Sequence, residues 1–285
     1  MARTRFGKWL VRALTRPPYR DESGTKGWFE RISCAQPHAV RRLALALPGW
    51  AHFSRPLRIA FLSDYHSGSH AGDVARLGAI MLEAAAFKPD LVLHGGDFVN
   101  MQWLGGGRIP PHVIAGILAR LRAPLGRFAV LGNHDYTYGA DEVARALEAH
   151  GITVLNDEKR TLSFEGHEFD LIGLPDAREA RPAGLALLGQ LSAARPALVL
   201  AHDPFWFAYV PVGPFLTLSG HTHGGQVRFP LLGPLRNSSK APLRWTLGHI
   251  VEGGRQLYVT AGLGTSAVPL RIGVPPDYAV VDVSG

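Results

Sequence analysis

An α/β fold is predicted for residues 57–285, and three observations predict it. Short apolar runs of strand length alternate with segments whose apolar residues recur at helical spacing. Nearly every one of these runs ends in Gly, Asp, Asn or His, as expected where strands deliver polar residues to one edge of a sheet. The third is composition: 46% apolar and 19% charged residues in a chain of 285 suffice for a sizeable core and are too apolar for a disordered chain.

In chain order, Leu57–Ser63 (LRIAFLS) reads as a buried strand, Asp73–Phe87 as a helix, Leu91–His94 as a strand, His112–Leu121 as a helix and Phe128–Leu131 as a strand. Asp141–His150 follows as a helix. Thr161–Phe164 and Glu168–Gly173 form a hairpin that turns at Glu165-Gly166-His167. Ala197–Ala201, Phe215–Ser219, Gln256–Thr260 and Tyr278–Val283 complete the strands. Pro230–Pro242, rich in Pro, Gly and Ser, is the one long loop, and such loops are usually functional or mobile.

Residues 1–56 are read as a basic arm. Up to residue 58 there are 12 Lys and Arg against three acids, a balance of +9, which leaves 18 against 20, or −2, for the rest. Phe6, Trp9, Leu10 and Ala13 make an apolar stripe at helical spacing, Arg5, Lys8, Arg12 and Arg16 fall to another side, and Pro17-Pro18 stops the helix. A segment lying in a lipid interface and a solvated tail both fit this pattern. An Arg-rich, acid-poor presequence also fits, although Ser is nearly absent. Charges interrupt every candidate secretory signal, and the longest apolar stretch, near Leu43–Ala51, falls well short of the roughly 18 residues a spanning helix needs. Cys34, the one cysteine, excludes intrachain disulfides and Cys-rich zinc modules.

The predicted strand tips carry Asp64-Tyr65-His66, Gly96-Asp97-Phe98-Val99-Asn100, Gly132-Asn133-His134-Asp135, His202-Asp203 and Gly220-His221-Thr222-His223. Ligands of open α/β sheets bind outside the carboxyl ends of strands, so these five tips can converge on one cleft. Carboxylates, an amide oxygen and imidazoles without thiols suit Mn²⁺, Fe²⁺ or Zn²⁺. Asp64, His66, Asp97, Asn133, His202, His221 and His223 are too many ligands for one ion, whereas two ions about 3.5–4 Å apart, sharing a carboxylate, would use them all. Gly96, Gly132 and Gly220 allow sharp turns and the close approach of substrate.

In this order the five motifs resemble the calcineurin-like metallophosphoesterase superfamily from about residue 57 to the C-terminus. GHTHGGQVRFPLLGP (220–234) and YVTAGLGTSAVPLRIGVPP (258–276) are similar to a subgroup of small bacterial membrane-associated phosphoesterases that includes hydrolases of UDP-2,3-diacylglucosamine. The resemblance implies a two-sheet β-sandwich with helices on its outer faces. It assigns Asp64, His66 and His223 to one metal, Asn133, His202 and His221 to the other, and Asp97 to both. It implies two divalent cations, with Mn²⁺ the leading candidate and Fe²⁺ or Zn²⁺ as alternatives, whose bridging hydroxide attacks phosphorus. His134, not a ligand, would stabilise the transition state or protonate the leaving oxygen, with Asp135 orienting its ring.

The implied reaction is hydrolysis of a phosphodiester or pyrophosphate, specifically UDP-2,3-diacylglucosamine to UMP and an acylated sugar phosphate in lipid A synthesis. Nucleic acid, a cyclic nucleotide or another lipid-linked phosphodiester is the alternative substrate. Asn100, where a second acid is common, and Arg228 are candidate substrate contacts, with Arg236 and Lys240 in the long loop. Tyr65, in place of an aliphatic residue, is expected near the substrate mouth, and His70 and His94 are candidates for supporting the ligands. The partners implied are an amphiphilic or nucleotide phosphoester and a membrane surface touched by the arm, which places the protein in the cytoplasm at the inner membrane face. The body's balance of −2 and its lack of a basic, aromatic-interleaved stripe argue against nucleic acid. A non-enzymatic scaffold would be expected to have lost ligands, and none is missing here.

Overall fold

The computed structural model describes residues 35–70, 72–102, 107–176, 181–229, 233–234 and 236–285. The amphipathic stripe predicted for the first twenty residues lies outside them. No helix among the described residues is long and apolar enough to cross a membrane.

Two six-stranded sheets carry the fold. One has the order β1-β14-β2-β3-β4-β5, the other β12-β13-β9-β8-β7-β6. In the first, β2 (Leu57–Leu62), β3 (Leu91–His94), β4 (Arg127–Ala129) and β5 (Thr153–Val154) run parallel, while β14 (Asp277–Ser284) runs antiparallel to β2 and parallel to β1 (Ala39–Ala46). In the second, β7 (His167–Leu174), β8 (Ala197–Ala201), β9 (Phe215–Ser219) and β13 (Arg255–Val259) are parallel, flanked by antiparallel edges β6 (Glu158–Phe164) and β12 (Gly248–Glu252).

Successive side chains on a strand point to opposite faces, and this splits the apolar runs between two cores. Ile59, Phe61, Leu91 and Leu93 meet Leu198, Leu200, Leu216 and Leu218 between the sheets. From the same strands, Ala60, Leu62 and Val92 turn outward beneath α1 (Asp73–Ala86), α2 (Pro111–Leu118) and α4 (Ala140–Ala149). Across the second sheet, Ile172, Val199 and Val259 face Leu188 of α5 (Pro182–Leu188) and Trp206 and Phe207 of the 3-10 turn Pro204–Tyr209. Burial on both faces explains why these strands are continuous apolar runs and not alternating ones. The two-sheet sandwich with outer helices is therefore present.

Several elements carry no clear local signal, β1 and the helix that starts at Asn133 among them. The end of the segment read as an arm is built into the first sheet: β1 pairs with β14 over its whole length, from Ala39 against Asp277 to Ala46 against Ser284. Arg41-Arg42 interrupt its apolar pattern because β1 is an edge strand, where exposed positive charge also discourages pairing with other chains. α3 (Asn133–Tyr138) is too short and polar to show helical periodicity, and it starts where Asp135 accepts the backbone N–H of Gly132 at 2.9 Å.

Candidate metal centre

The tips of β2, β3 and β4 in one sheet and of β8 and β9 in the other meet at one end of the sandwich. Three groups of side chains there could each hold a metal ion: Asp64, His66 and His223; Asp97, His202 and His221; and His66, Asp97 and His134. Asn133 Oδ1 lies 3.4 Å from His202 Nε2, which adds it to the second group. All seven residues expected as ligands are thus brought together.

The ring nitrogens show what the site fits. His66 Nε2 stands 3.1 Å from His223 Nε2, and His202 Nε2 stands 3.1 Å from His221 Nδ1. His202 Nδ1 donates to Gly95 O at 2.7 Å, which turns its Nε2 towards His221. His221 Nε2 donates to Ser238 O at 3.2 Å, which leaves Nδ1 as the inward-facing donor atom. Burial pushes His66 and His223 well below the usual imidazole range, so both rings are neutral. Two ring nitrogens this close need a shared proton or a cation between them, and the carboxylates of Asp64 and Asp97 beside both pairs favour a cation. With bonds of about 2.0–2.2 Å to one ion, neighbouring donor atoms stand about 3.0–3.5 Å apart, which is the spacing found here. The residues present therefore fit metal ions.

Asp97 lies between the two clusters. Its Oδ2 is 3.5 Å from His66 Nε2 and 3.6 Å from His202 Nε2, and its Oδ1 is held by the His134 backbone N–H at 2.8 Å. Burial, then the nearby carboxylates of Asp135 and Asp64, push Asp97 well above the usual carboxylate range, and divalent cations would offset that accumulated negative charge. Backbone strain is concentrated in the same place. Asp64, His66, Asp97, His221 and His223 have φ of 52°, 39°, 54°, 67° and 52°, in the left-handed region that side chains other than Gly seldom occupy.

The chain belongs to the calcineurin-like phosphoesterase family. The family model matches residues 57–225, which hold all five motif tips. The uncharacterized metallophosphoesterase YkuE of Bacillus subtilis is 31% identical over 227 residues, 78% of this chain and 75% of that protein. Phosphodiesterase YaeI of Escherichia coli is 32% identical over 266 residues, 90% of this chain and 89% of that one. Among solved structures, Haemophilus influenzae NAD nucleotidase aligns with a TM-score of 0.49 and 15% identity over 74% of this chain and 46% of its own. Calcineurin-like phosphoesterases are metal-dependent hydrolases of phosphoesters, and the clustered donors are in keeping with that membership.

Within this family frame, four expectations need correction. Asp135 does not serve to orient the His134 ring: Oδ2 accepts from Asp97 N and Gly132 N, and Oδ1 from Phe98 N and Val99 N, so the carboxylate shapes the Asp97 loop. Asn100 is buried with both polar ends used, Nδ2 on Gly107 O and Oδ1 on Gln102 N, so it braces its own loop and does not face substrate. Tyr65 is fully buried, stacked on Phe98, and donates to His94 Nδ1 at 2.5 Å beneath the site, not at its mouth. The glycines admit ligands and not substrate: a Cβ on Gly132 would lie 2.1 Å from Asp97 Oδ1, and one on Gly220 2.2 Å from Asp64 Oδ2.

Other expected residues are placed as follows. Arg228 sits half-buried on the short strand β10 (Arg228–Phe229), beside the Ile272 segment, and Arg236 and Lys240 are exposed. His134 is half-buried, with Nε2 3.4 Å from Ser266 Oγ and its ring edge-on to His66. His70 is buried against Ser69 and Asp73, and His94 supports the ligand tip through Tyr65. Ser266, at the end of the Gly262–Ser266 turn, and Arg271 also stand at the site.

Burial pushes His94 down to about 3 and His70 to about 4. Below pH ~6.5 the unfolded chain takes up protons that the folded chain refuses, so stability present above that pH is lost on acidification. The slope is up to about 1.4 kcal/mol per pH unit for each histidine. Between pH 6.5 and 5, urea unfolding of the chelator-treated protein should show the wild type losing about 2 kcal/mol more than His94→Gln. Equal losses in the two proteins would refute this.

Proposed function

We propose that the chain hydrolyses a phosphodiester or diphosphate with two divalent cations. Asp64, His66 and His223 would hold one, Asn133, His202 and His221 the other, and Asp97 both. The observation that carries this reading is the position of Asp97 Oδ2, nearly equidistant from the two histidine pairs. Bound cations would supply Lewis acidity at the phosphoryl oxygens and make water nucleophilic near neutral pH. A donor set of oxygen and imidazole nitrogen suits Mn²⁺. His134 acts on the phosphoryl group or its leaving oxygen, with Ser266 Oγ placed to steady its Nε2. The phosphodiesterase name of YaeI supports the reaction class.

For the substrate we infer an amphiphile, with UDP-2,3-diacylglucosamine, cleaved to UMP and an acylated sugar phosphate, as the specific candidate. Phe229, Val268, Leu270 and Ile272 are all exposed, and their segments are joined by the Val227–Ile272 bridge and lead back to Ser266 beside His134. An exposed apolar rim at a polar catalytic cleft suits a ligand with a phosphate head and an apolar body, or a lipid surface presenting one. Arg228, half-buried between Val227 and Phe229, would contact the diphosphate. The basic residues among positions 1–20 would draw the chain towards anionic lipid at the inner membrane surface.

Mass spectrometry of products from Mn²⁺-loaded protein tests both levels. UMP released from UDP-2,3-diacylglucosamine in detergent supports the substrate. Cleavage of bis(p-nitrophenyl) phosphate alone would discard that substrate and retain the phosphodiesterase, and inactivity on both would overturn the reading.

A further inference from the structure

Arg271 is 4% exposed, and its guanidinium makes no ion pair among the described residues. Its donors go to main-chain carbonyls. Nε donates to Gly264 O at 3.1 Å, and Nη2 to Ala261 O at 2.7 Å, Gly262 O at 3.1 Å and Gly264 O at 2.5 Å. Nη1 reaches His223 O at 3.3 Å, and Nη2 lies 3.4 Å from His223 Nδ1.

Removing a guanidinium from water is unfavourable, and here burial outweighs the attraction of Asp277 and Asp64, neither of which makes a close ion pair with it, so this arginine is a poor device for fold stability alone. The segments it joins suggest another role. The 261–264 turn lies against the first ligand tip, where Leu263 N donates to Ser63 O at 3.1 Å and Gly264 N to Asp64 O at 2.6 Å. A Cβ at Gly262 would come within 2.5 Å of Asp64 Cβ, and one at Gly264 within 2.7 Å of His66 Cβ. One planar cation therefore ties the turn that backs Asp64 and His66 to the backbone of His223. These three ligands come from two different sheets and are 157 residues apart between His66 and His223.

The geometry points to Arg271 as a positioning residue that holds Asp64, His66 and His223 as one ligand set, so that one ion of the pair depends on a side chain that does not touch it. This rests on the two-ion reading above. A lysine cannot replace it, because an ammonium lacks the rigid fork that reaches carbonyls on both segments.

The test is Mn²⁺ titration of chelator-treated full-length wild type, Arg271→Met and Arg271→Lys. Bound metal is counted by elemental analysis, spin coupling is read by electron paramagnetic resonance, and folding by circular dichroism. The wild type should bind two ions with a spin-coupled signal. Both variants should remain folded, keep one ion at wild-type affinity and bind the second roughly 10–100-fold more weakly, with the coupled signal replaced by that of isolated Mn²⁺. Two ions bound at wild-type strength in a folded variant would overturn the assignment. So would failure of both variants to fold, which would make Arg271 a residue of the fold. Should wild type itself bind a single ion, the two-ion reading fails instead, and unchanged affinity for that ion in the variants would reject the role of Arg271 as well.

Discussion

Asp97→Asn is expected to lower turnover on bis(p-nitrophenyl) phosphate by roughly 10³-fold or more, because it removes the one charged oxygen that both histidine pairs face. Lewis-acid stabilisation of a phosphoryl transition state is worth several kcal/mol, and each 1.36 kcal/mol is about tenfold in rate. Metal content should fall below two ions per chain. The chelator-treated variant, in contrast, should unfold at a temperature equal to or above that of wild type treated the same way. Asn tolerates the φ of 54° at this position, keeps an oxygen for the His134 N–H, and offers an amide N–H to the ring nitrogens where wild type places a carboxylate pushed up by burial, Asp135 and Asp64. Turnover within tenfold of wild type at normal metal content would remove Asp97 from the centre of the chemistry.

His134→Ala separates binding from catalysis. General acid–base groups contribute about 10²–10⁴-fold, and a loss of that size is expected with both ions retained. The loss should be smaller on a p-nitrophenyl diester than on an alkyl diester, since nitrophenolate leaves without a proton. His134 also belongs to a possible ligand group with His66 and Asp97, so elemental analysis of the variant is decisive. Loss of an ion would make His134 a ligand. An equal loss on the aryl and alkyl diesters would assign it to the phosphoryl oxygens and not to the leaving group.

Much of the fold was legible because the strands that build it are buried on both faces. Leu91–His94, Ala197–Ala201 and Phe215–Ser219 are found at the predicted bounds, and Asp73–Phe87 is observed as Asp73–Ala86. Such segments advertise themselves by local apolar density, which depends on no distant partner. Edge elements do not. β1 carries Arg41-Arg42 and β12 alternates between half-buried and exposed residues, so neither differs locally from a loop.

The residue types at the five tips, and their order along the chain, determined by themselves that hard-to-borderline cations and phosphoester chemistry were the reading to pursue. Ligand identity is a property of the side chain, and a strand tip is a local feature. What tertiary structure alone decided is which polar side chains face the cleft and which hold the backbone that forms it. Asp135, Asn100 and Tyr65 look like site residues in one dimension, yet their hydrogen bonds go to loop amides, to a carbonyl and to His94. Arg271, far along the chain in a segment read only as part of a longer motif, binds the ligand loops together. The reason is that a buried donor or acceptor must be satisfied by whatever group the closed fold brings near. For these residues that group lies on another segment, set by how the two sheets pack, and no local pattern encodes it.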